Sequence, residues 1–273
     1  TTETCIKIIR GQLLADGMEP VVFHTVGAGG QAMDEMVQHE RPLAVVDLSL
    51  HEITDHYFDG DYDAGADRGK AALSAGIPTV LVPGNADFLV TGPLEDAKKR
   101  FPGRAYHMHN GAITALSASD EEMGFLGRHL AQLCNEAKGD YRLLVPMGGF
   151  SAFDSEGGPL WNPQGRQVFL DHLTKNISGS QVKILDYHIN DPEFARAVLE
   201  NIRELTAGER VRNGTRVNPI KTALQYSERI SPQGPALGGS FVTGATNEVN
   251  LPKFPYLALA FVIIAAANAL ASS

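Results

Sequence analysis

The chain has 273 residues, of which 43% are hydrophobic and 20% are charged, and its formal net charge is −9. This composition is typical of a soluble globular protein with one large domain or two small ones. The acidic balance argues against a nucleic-acid backbone as the main partner, although backbone N–H groups can still bind a phosphate.

Cysteine content and hydropathy indicate the compartment. Cys5 and Cys134 are the two cysteines of the sequence, too few for a disulfide framework and without metal-site spacing, so we expect a cytoplasmic protein. The first residues lack the pattern of a signal peptide. The longest apolar run, residues 256–267, is shorter than the roughly 20 residues with which a helix spans a bilayer, so we expect no membrane partner.

Five short apolar segments predict strands, and in chain order they are residues 21–26, 43–48, 78–82, 143–145 and 182–185. Each is apolar throughout, which is typical of parallel strands covered on both faces. Helical patterns alternate with them. The sequence therefore predicts an α/β fold that is Rossmann-like and doubly wound, with a mostly parallel sheet and helices on both faces.

Capping patterns predict where three helices begin. The first begins within residues 1–4, which read TTET and resemble a helix N-cap. The second begins after Ser119, which forms a capping-box pattern with Glu122. The third begins after Asp191, with Pro192 at the first helical position.

The composition changes near residue 208, beyond which Gly, Pro, Ser and Asn are frequent. We predict a Rossmann-like domain over residues 1–207. Residues 208–273 are predicted to form an irregular arm that ends in an apolar strand or helix, packed on the domain or on a partner chain. No strand precedes the first helix, as a βαβ unit would require, so the run 256–267 is a candidate for that strand.

A glycine-rich turn follows the first strand, and ligands of parallel sheets bind beyond the carboxyl ends of the strands. Residues 27–32 read GAGGQA and match G-x-G-x-x-G/A. Glycine permits positive φ and a close approach of N–H groups to an anion, and the helix start adds partial positive charge. Gly27, Ala28, Gly29 and Gly30 are therefore a candidate phosphate site. The alternative is that they serve only the turn, and an NAD site is disfavoured because a helix precedes this strand.

Polar residues also follow the other strands. A carboxylate at a strand end can bind a ribose hydroxyl or hydrated Mg²⁺, and a second glycine turn can hold a phosphate or carboxylate, with ordinary turn and capping roles as the alternative. The candidates are Asp47, Gly84, Asn85, Asp87, Gly148, Gly149 and Ser151.

The remaining histidines and acidic residues do not predict a metal site. His51 and His56 are five residues apart rather than the four of a zinc-protease helix, and the acidic residues 59–63 lack the order of a calcium loop. His109, Asp87 and His24 are candidates for acid–base catalysis, the alternative being ordinary structural roles.

Several motifs together resemble one family, the tomato mosaic virus resistance protein-like ATP-binding domain family, whose bacterial and fungal members are largely uncharacterised. The motifs are FHTVGAGGQAM (23–33), VDL (46–48), PGNADF (83–88), HN (109–110), PMGGFS (146–151), GGP (157–159) and INDP (189–192). The resemblance is to the second half of that domain and covers about residues 1–206. Ala28 stands where relatives often have Thr.

The resemblance implies two Rossmann-like subdomains, ATP binding, a tendency to form a homodimer and, in the plant protein, inhibition of viral RNA replication through binding of a viral protein. Mg²⁺ is a candidate companion of the nucleotide, near Asp47 or Asp87. By position it assigns the phosphates to Gly27, Gly29 and Gly30. No Walker-type Lys follows these glycines, so we expect little or no ATPase activity. We therefore expect a nucleotide-binding module, and the alternative is an enzyme acting on a small phosphorylated or carboxylic substrate in the same cleft.

Overall fold

The computed structural model describes residues 1–207 and the backbone of residues 261–266. Its helices are α1 Glu3–Ala15, α2 Ala28–Glu40, α3 His51–Tyr57, α4 Lys70–Ser74, α5 Leu94–Arg100, α6 Asp120–Asn135, α7 Pro163–Asn176 and α8 Pro192–Thr206. Its strands are β1 Glu19–His24, β2 Ala44–Asp47, β3 Thr79–Leu81, β4 Phe88–Thr91, β5 Tyr106–Met108, β6 Thr114–Ser117, β7 Tyr141–Pro146, β8 Val182–Leu185 and β9 Phe261–Ala266. Within the described residues, no helix combines the length and apolar character needed to cross a membrane.

Six parallel strands form the main sheet, in the order β1-β9-β2-β3-β7-β8. All five predicted strands are present. β1 ends at His24, so residues 25 and 26 belong to the turn. The expectation that every strand is covered on both faces is wrong for β8, where Ile184 is 49% exposed, because β8 is an edge strand.

β9 lies in the interior of this sheet, between β1 and β2. Ile263 pairs with Val21 on one side and with Val45 on the other. A strand preceding α1 in a right-handed βαβ unit would take the position next to β1. The apolar run 256–267 thus contributes residues 261–266 as a sheet strand. The other residues of the segment 208–273 lie outside the described residues, and the irregular arm stays a prediction.

Side chains of the central strands alternate between two helical layers, which confirms the doubly wound α/β arrangement. One face packs against α1 and α8 through Val22, Val46, Val80 and Leu144. The opposite face packs against α2 and α4 near β1, and against α6 and α7 near β7, through Val21, Phe23, Val45, Leu81, Leu143 and Val145. The core therefore consists of two apolar layers that hold the carboxyl ends of the strands in one row.

A second, antiparallel sheet was not predicted. β4, β6 and β5 form it in that order, and the segment lies between β3 and α6. Phe88 of β4 stacks on the ring of His51 with centroids 5.6 Å apart, and His107 of β5 contacts the ring of Phe153 at 4.3 Å. This small sheet therefore lies beside the turns that follow β2 and β7.

The predicted helix starts differ in how they are capped. The α6 capping box is confirmed, since Glu122 N donates to Ser119 Oγ at 3.3 Å and Ser119 N donates to the Glu122 carboxylate at 2.6 Å. Asp191 is at the N-cap position of α8 but does not cap it, because its carboxylate accepts from His188 N at 2.7 Å. Thr2 likewise precedes α1 without a side-chain cap.

Candidate functional site

The turns that follow four strands are in direct contact at the carboxyl edge of the sheet. The Thr25 hydroxyl, after β1, donates to Ser49 Oγ, after β2, at 3.0 Å. Asn85 Nδ2, after β3, donates to the same Ser49 Oγ at 2.8 Å. The Ser151 hydroxyl, after β7, donates to Asp87 at 2.6 Å. These hydroxyl and amide contacts join the four turns into one polar edge, at the carboxyl ends of β1, β2, β3 and β7.

The glycines at the start of α2 are required by the backbone conformation or by close contacts. Gly27 has φ of 80° and is the N-cap. A Cβ on Gly29 would collide with the backbone oxygen of His24, because helix and strand approach closely there. The N–H groups of Gly27 and Gly30 both donate to Glu52 Oε1, at 2.7 and 3.3 Å. The anion bound by these two amides is therefore a carboxylate of the chain itself.

Arg68 lies beneath this turn and pairs with two carboxylates. Its side chain is fully buried, its Nε donates to Glu52 at 2.6 Å, and its two terminal nitrogens donate to Asp47 at 2.5 and 2.9 Å. Burial raises the pKa of Glu52, against the opposing charge of Arg68. Asp47, expected at a ribose or at Mg²⁺, thus has its carboxylate in a buried bidentate ion pair. Removing one partner of such a pair would leave a buried charge uncompensated.

A chain of buried polar groups begins at Asp55 and reaches the β3 turn. The Asp55 carboxylate is 3.2 Å from Nδ1 of His51, and Nε2 of His51 is 3.2 Å from Thr25 Oγ1. Thr25 contacts Ser49, and Ser49 contacts Asn85. Sequence reasoning missed Thr25 and Ser49 and considered His51 only as a zinc ligand. The sequence signal that could have identified Thr25 and Ser49 is a polar residue directly after an apolar segment.

Asp87 lies in the turn after β3, in contact with the turn after β7, and its side chain is buried. Burial, together with the nearby charge of Asp154, raises the pKa of the Asp87 carboxyl to about 8. Asp154 is itself paired with buried Arg166. Ser151 binds one oxygen of Asp87, whereas the other oxygen, Oδ1, has no hydrogen-bond partner in the structure as described, and the same holds for Oδ1 of Asn85.

The start of α1 adjoins this cluster. The Thr1 carbonyl accepts from Ala152 N at 3.1 Å and from Asn190 Nδ2 at 2.8 Å. Ala152 follows Ser151, so the start of α1 lies beside the residue that donates to Asp87. Burial first, and then the charge of His107, lowers the pKa of His109.

The other predicted residues have mainly internal contacts. Gly84 O accepts from Leu50 N at 3.0 Å, and the amides of Gly148 and Gly149 donate to Tyr187 O and Pro146 O at 2.9 and 3.1 Å. His24, the last residue of β1, is half-buried. The structure thus brings Asn85, Asp87 and Ser151 together and turns Asp47 toward Arg68.

Comparison with known proteins identifies relatives over most of the described chain. Residues 1–206 match the family "Uncharacterised protein family (UPF0261) C-terminal domain". A UPF0261 protein of Clostridium tetani is 32% identical over 199 residues, covering 72% of this chain and 49% of the relative. A UPF0261 protein of Rhizobium meliloti is 31% identical over 207 residues, covering 75% and 52%.

A plant relative has a descriptive name. The ToMV resistance protein Tm-1(GCR237) of Solanum lycopersicum is 30% identical over 212 residues, covering 77% of this chain and 28% of the relative. The chain thus spans about half the length of the bacterial relatives and less than a third of the tomato protein. The family resemblance inferred from the motifs is confirmed.

Proposed function

The chain belongs to the uncharacterised UPF0261 family, whose C-terminal domain it matches over residues 1–206, and we propose that this domain is a nucleotide-binding module for ATP. The observation that carries the proposal is the convergence of the β1, β2, β3 and β7 turns on one polar edge. Open parallel sheets bind ligands beyond their carboxyl ends, at the point where the strand order reverses. In this sheet that point lies at β9, with α1 on one face and α2 on the other.

The phosphates would lie against the outer side of the α2 start. Gly27 and Gly30 are buried and donate to Glu52, whereas Ala28 is exposed and Gly29 half-buried. The N–H of Ala28 donates to Val26 O at 3.1 Å, so the proposal gives the phosphate contact to the N–H of Gly29, beside the exposed Ala28, where the helix dipole favours an anion. Mg²⁺ would accompany the phosphates as their counter-ion. No Lys follows the turn, so the module would hydrolyse ATP slowly or not at all.

The alternative function is an enzyme acting on a small phosphorylated or carboxylic substrate at the same edge. The observation that favours it is the chain of contacts from Asp55 through His51 to Thr25, since a carboxylate, an imidazole and a hydroxyl in this order can move a proton. Asp87, whose pKa is raised to about 8, and His109, whose pKa is lowered, are further acid–base candidates. Conversion of ATP to ADP during a binding measurement would favour this alternative.

The substitution Ala28→Asp tests the phosphate position. An acidic residue in the first turn stabilises a helix, so the fold is retained, whereas its charge repels a phosphate. We expect calorimetric titration to show ATP–Mg²⁺ binding to the wild-type chain and at least about tenfold weaker binding to the variant, which corresponds to 1.4 kcal/mol. A Gly29 substitution is unsuitable because its Cβ would collide with His24 O.

Gln164→Asp is the matched control, because it places the same charge in the exposed first turn of α7. It should bind ATP like the wild type. If the wild-type chain binds no nucleotide, the proposed function is wrong. If Ala28→Asp binds ATP as tightly as the control, the phosphates bind elsewhere.

We further propose a cytoplasmic homodimer. Cys5 and Cys134 are buried free thiols, in keeping with a reducing compartment. β8 is an edge strand with Ile184 49% exposed, and Tyr187 in the following loop is 39% exposed. Exposed apolar side chains on an edge strand favour pairing with a second chain.

A further inference from the structure

Two buried oxygens at the β3 turn lack hydrogen-bond partners within the described part of the chain. They are Oδ1 of Asn85 and Oδ1 of Asp87, in side chains that are 0% and 1% exposed. Buried polar atoms in folded proteins are nearly always hydrogen-bonded, since an unpaired one costs about 1–3 kcal/mol. Two such acceptors, two residues apart in one turn, therefore require a common explanation.

Neighbouring hydroxyl groups fix the orientation of both side chains. Asn85 Nδ2 donates to Ser49 Oγ, so the amide oxygen faces away from β2. The Ser151 hydroxyl binds Oδ2 of Asp87, which leaves Oδ1 as the second acceptor. Asn85 itself adopts a left-handed conformation with φ of 59°, and its N–H donates to Phe150 O at 2.8 Å. Contacts with Ser49, Phe150 and Ser151 therefore fix the turn, while these two oxygens are unpaired.

Hydrogen-bonded neighbours connect the acceptors to an exposed residue and to the proposed phosphate position. Ser151, which donates to Asp87, precedes Ala152, an exposed residue whose N–H donates to the Thr1 carbonyl. On the other side, Asn85 connects through Ser49 to Thr25, three residues before Ala28. A ligand with its phosphate at Ala28 would have its adjoining sugar near this turn.

We propose that Asn85 Oδ1 and Asp87 Oδ1 form a recognition site for two neighbouring hydroxyl groups of a sugar. An amide oxygen and a carboxylate oxygen both accept hydrogen bonds, and a vicinal diol supplies two O–H donors, as carboxylates that bind ribose show. The inference rests on the proposed function, in which the diol is that of the ATP ribose. Asn85 and Asp87 would thereby select ribonucleotides over nucleotides that lack both hydroxyls.

Calorimetric titrations of the full chain with ATP, 2′,3′-dideoxy-ATP and ribose 5-phosphate, each with Mg²⁺, test this site. We expect ATP to bind at least about tenfold more tightly than dideoxy-ATP, because the analogue leaves both acceptors unpaired. In Asp87→Asn and Asn85→Gly this ratio should fall toward one. Asp87→Asn retains the side-chain shape and can present an N–H where an acceptor stood, and Gly tolerates the positive φ at residue 85.

Asp186→Asn is the control, since it makes the same chemical change on an exposed residue after β8, and it should keep the wild-type ratio. Equal binding of ATP and dideoxy-ATP to the wild type would overturn the hydroxyl site while leaving the proposed function intact. Binding of ribose 5-phosphate without binding of ATP would overturn the nucleotide proposal and support the sugar site. Binding of none of the three would overturn both.

Discussion

Buried charges at the strand ends are compensated to different degrees. Arg68 contacts both Asp47 and Glu52, so that a cation faces this pair of carboxylates. Asp87 has a hydroxyl partner, Ser151, and its neighbour Asp154 is already paired with Arg166. The high pKa of Asp87, about 8, follows from its burial first and from Asp154 second. Asp87 is therefore protonated below about pH 8 in the unliganded fold, and O–H donors bound at its Oδ1 would favour the charged form.

This protonation has a consequence for stability. The ordinary pKa of the carboxyl is 3.8 and its folded value is about 8, so the unfolded chain releases this proton at a lower pH than the folded chain. Stability contributed at Asp87 therefore falls as pH rises between these values. We expect Asp87→Asn, which cannot ionise, to gain about 4 kcal/mol in the free energy of unfolding relative to the wild type between pH 5 and pH 8, measured by urea unfolding at both pH values.

The exposed substitution Asp186→Asn should show no such gain. A difference between Asp87→Asn and the wild type that stays constant from pH 5 to pH 8 would mean that Asp87 titrates as an ordinary carboxyl. The sequence marked Asp87 as a ligand candidate. Its pKa depends on Asp154 and Ser151, which are more than sixty residues away in the chain, and could not be predicted from the PGNADF motif.

The start of α2 and the position of strand β9 differ in how far the sequence alone predicts them. The glycines at residues 27–30 correctly predicted a strand-to-helix turn, since their conformational need is local. Their N–H partner, Glu52, comes from α3 and is a tertiary contact. For β9, apolar character was evident in the sequence, yet its position between β1 and β2 follows from backbone pairing on both edges.

A proline in β9 tests this position. Residue 264 pairs with Val22 of β1 and with Val46 of β2. A proline removes one backbone N–H and is poorly tolerated in an interior strand, so we expect Ile264→Pro to lower the free energy of unfolding by about 3 kcal/mol or more. Urea unfolding monitored by circular dichroism measures the change.

Ile264→Val retains the backbone N–H and serves as the matched control. Its expected cost is smaller than that of the proline, because the backbone pairing of residue 264 with β1 and β2 is retained. Equal stability of Ile264→Pro and Ile264→Val would show that residues 261–266 do not form an interior strand.

At the scale of the whole molecule, the sheet has one edge at β1 and the other at β8. Ile184 is exposed on β8, and Lys183 precedes it. An edge strand with an exposed apolar residue is a surface on which a second copy can add its own strand or pack side chains. The proposed homodimer would bury this surface.

Sedimentation measurements test the dimer. The wild-type chain should sediment with twice its mass of 29.3 kDa, and Ile184→Lys should sediment as a monomer, since a charge buried in an apolar interface is costly. Leu14→Lys, on the exposed side of α1, is the control and should remain dimeric. A monomeric wild-type chain would contradict the proposal, and a dimeric Ile184→Lys would exclude β8 as its interface.

The sequence by itself determined five strands of the parallel sheet, the starts of three helices, the doubly wound class and the family, because apolar periodicity, capping residues and glycine turns are local properties. The tertiary structure alone decided which polar groups meet. Asp47 pairs with Arg68, Glu52 reaches the amides of Gly27 and Gly30, and the antiparallel sheet covers His51. These contacts join segments that are distant in the chain, and hydrogen bonding and charge compensation select them only after the core has brought the strand ends together.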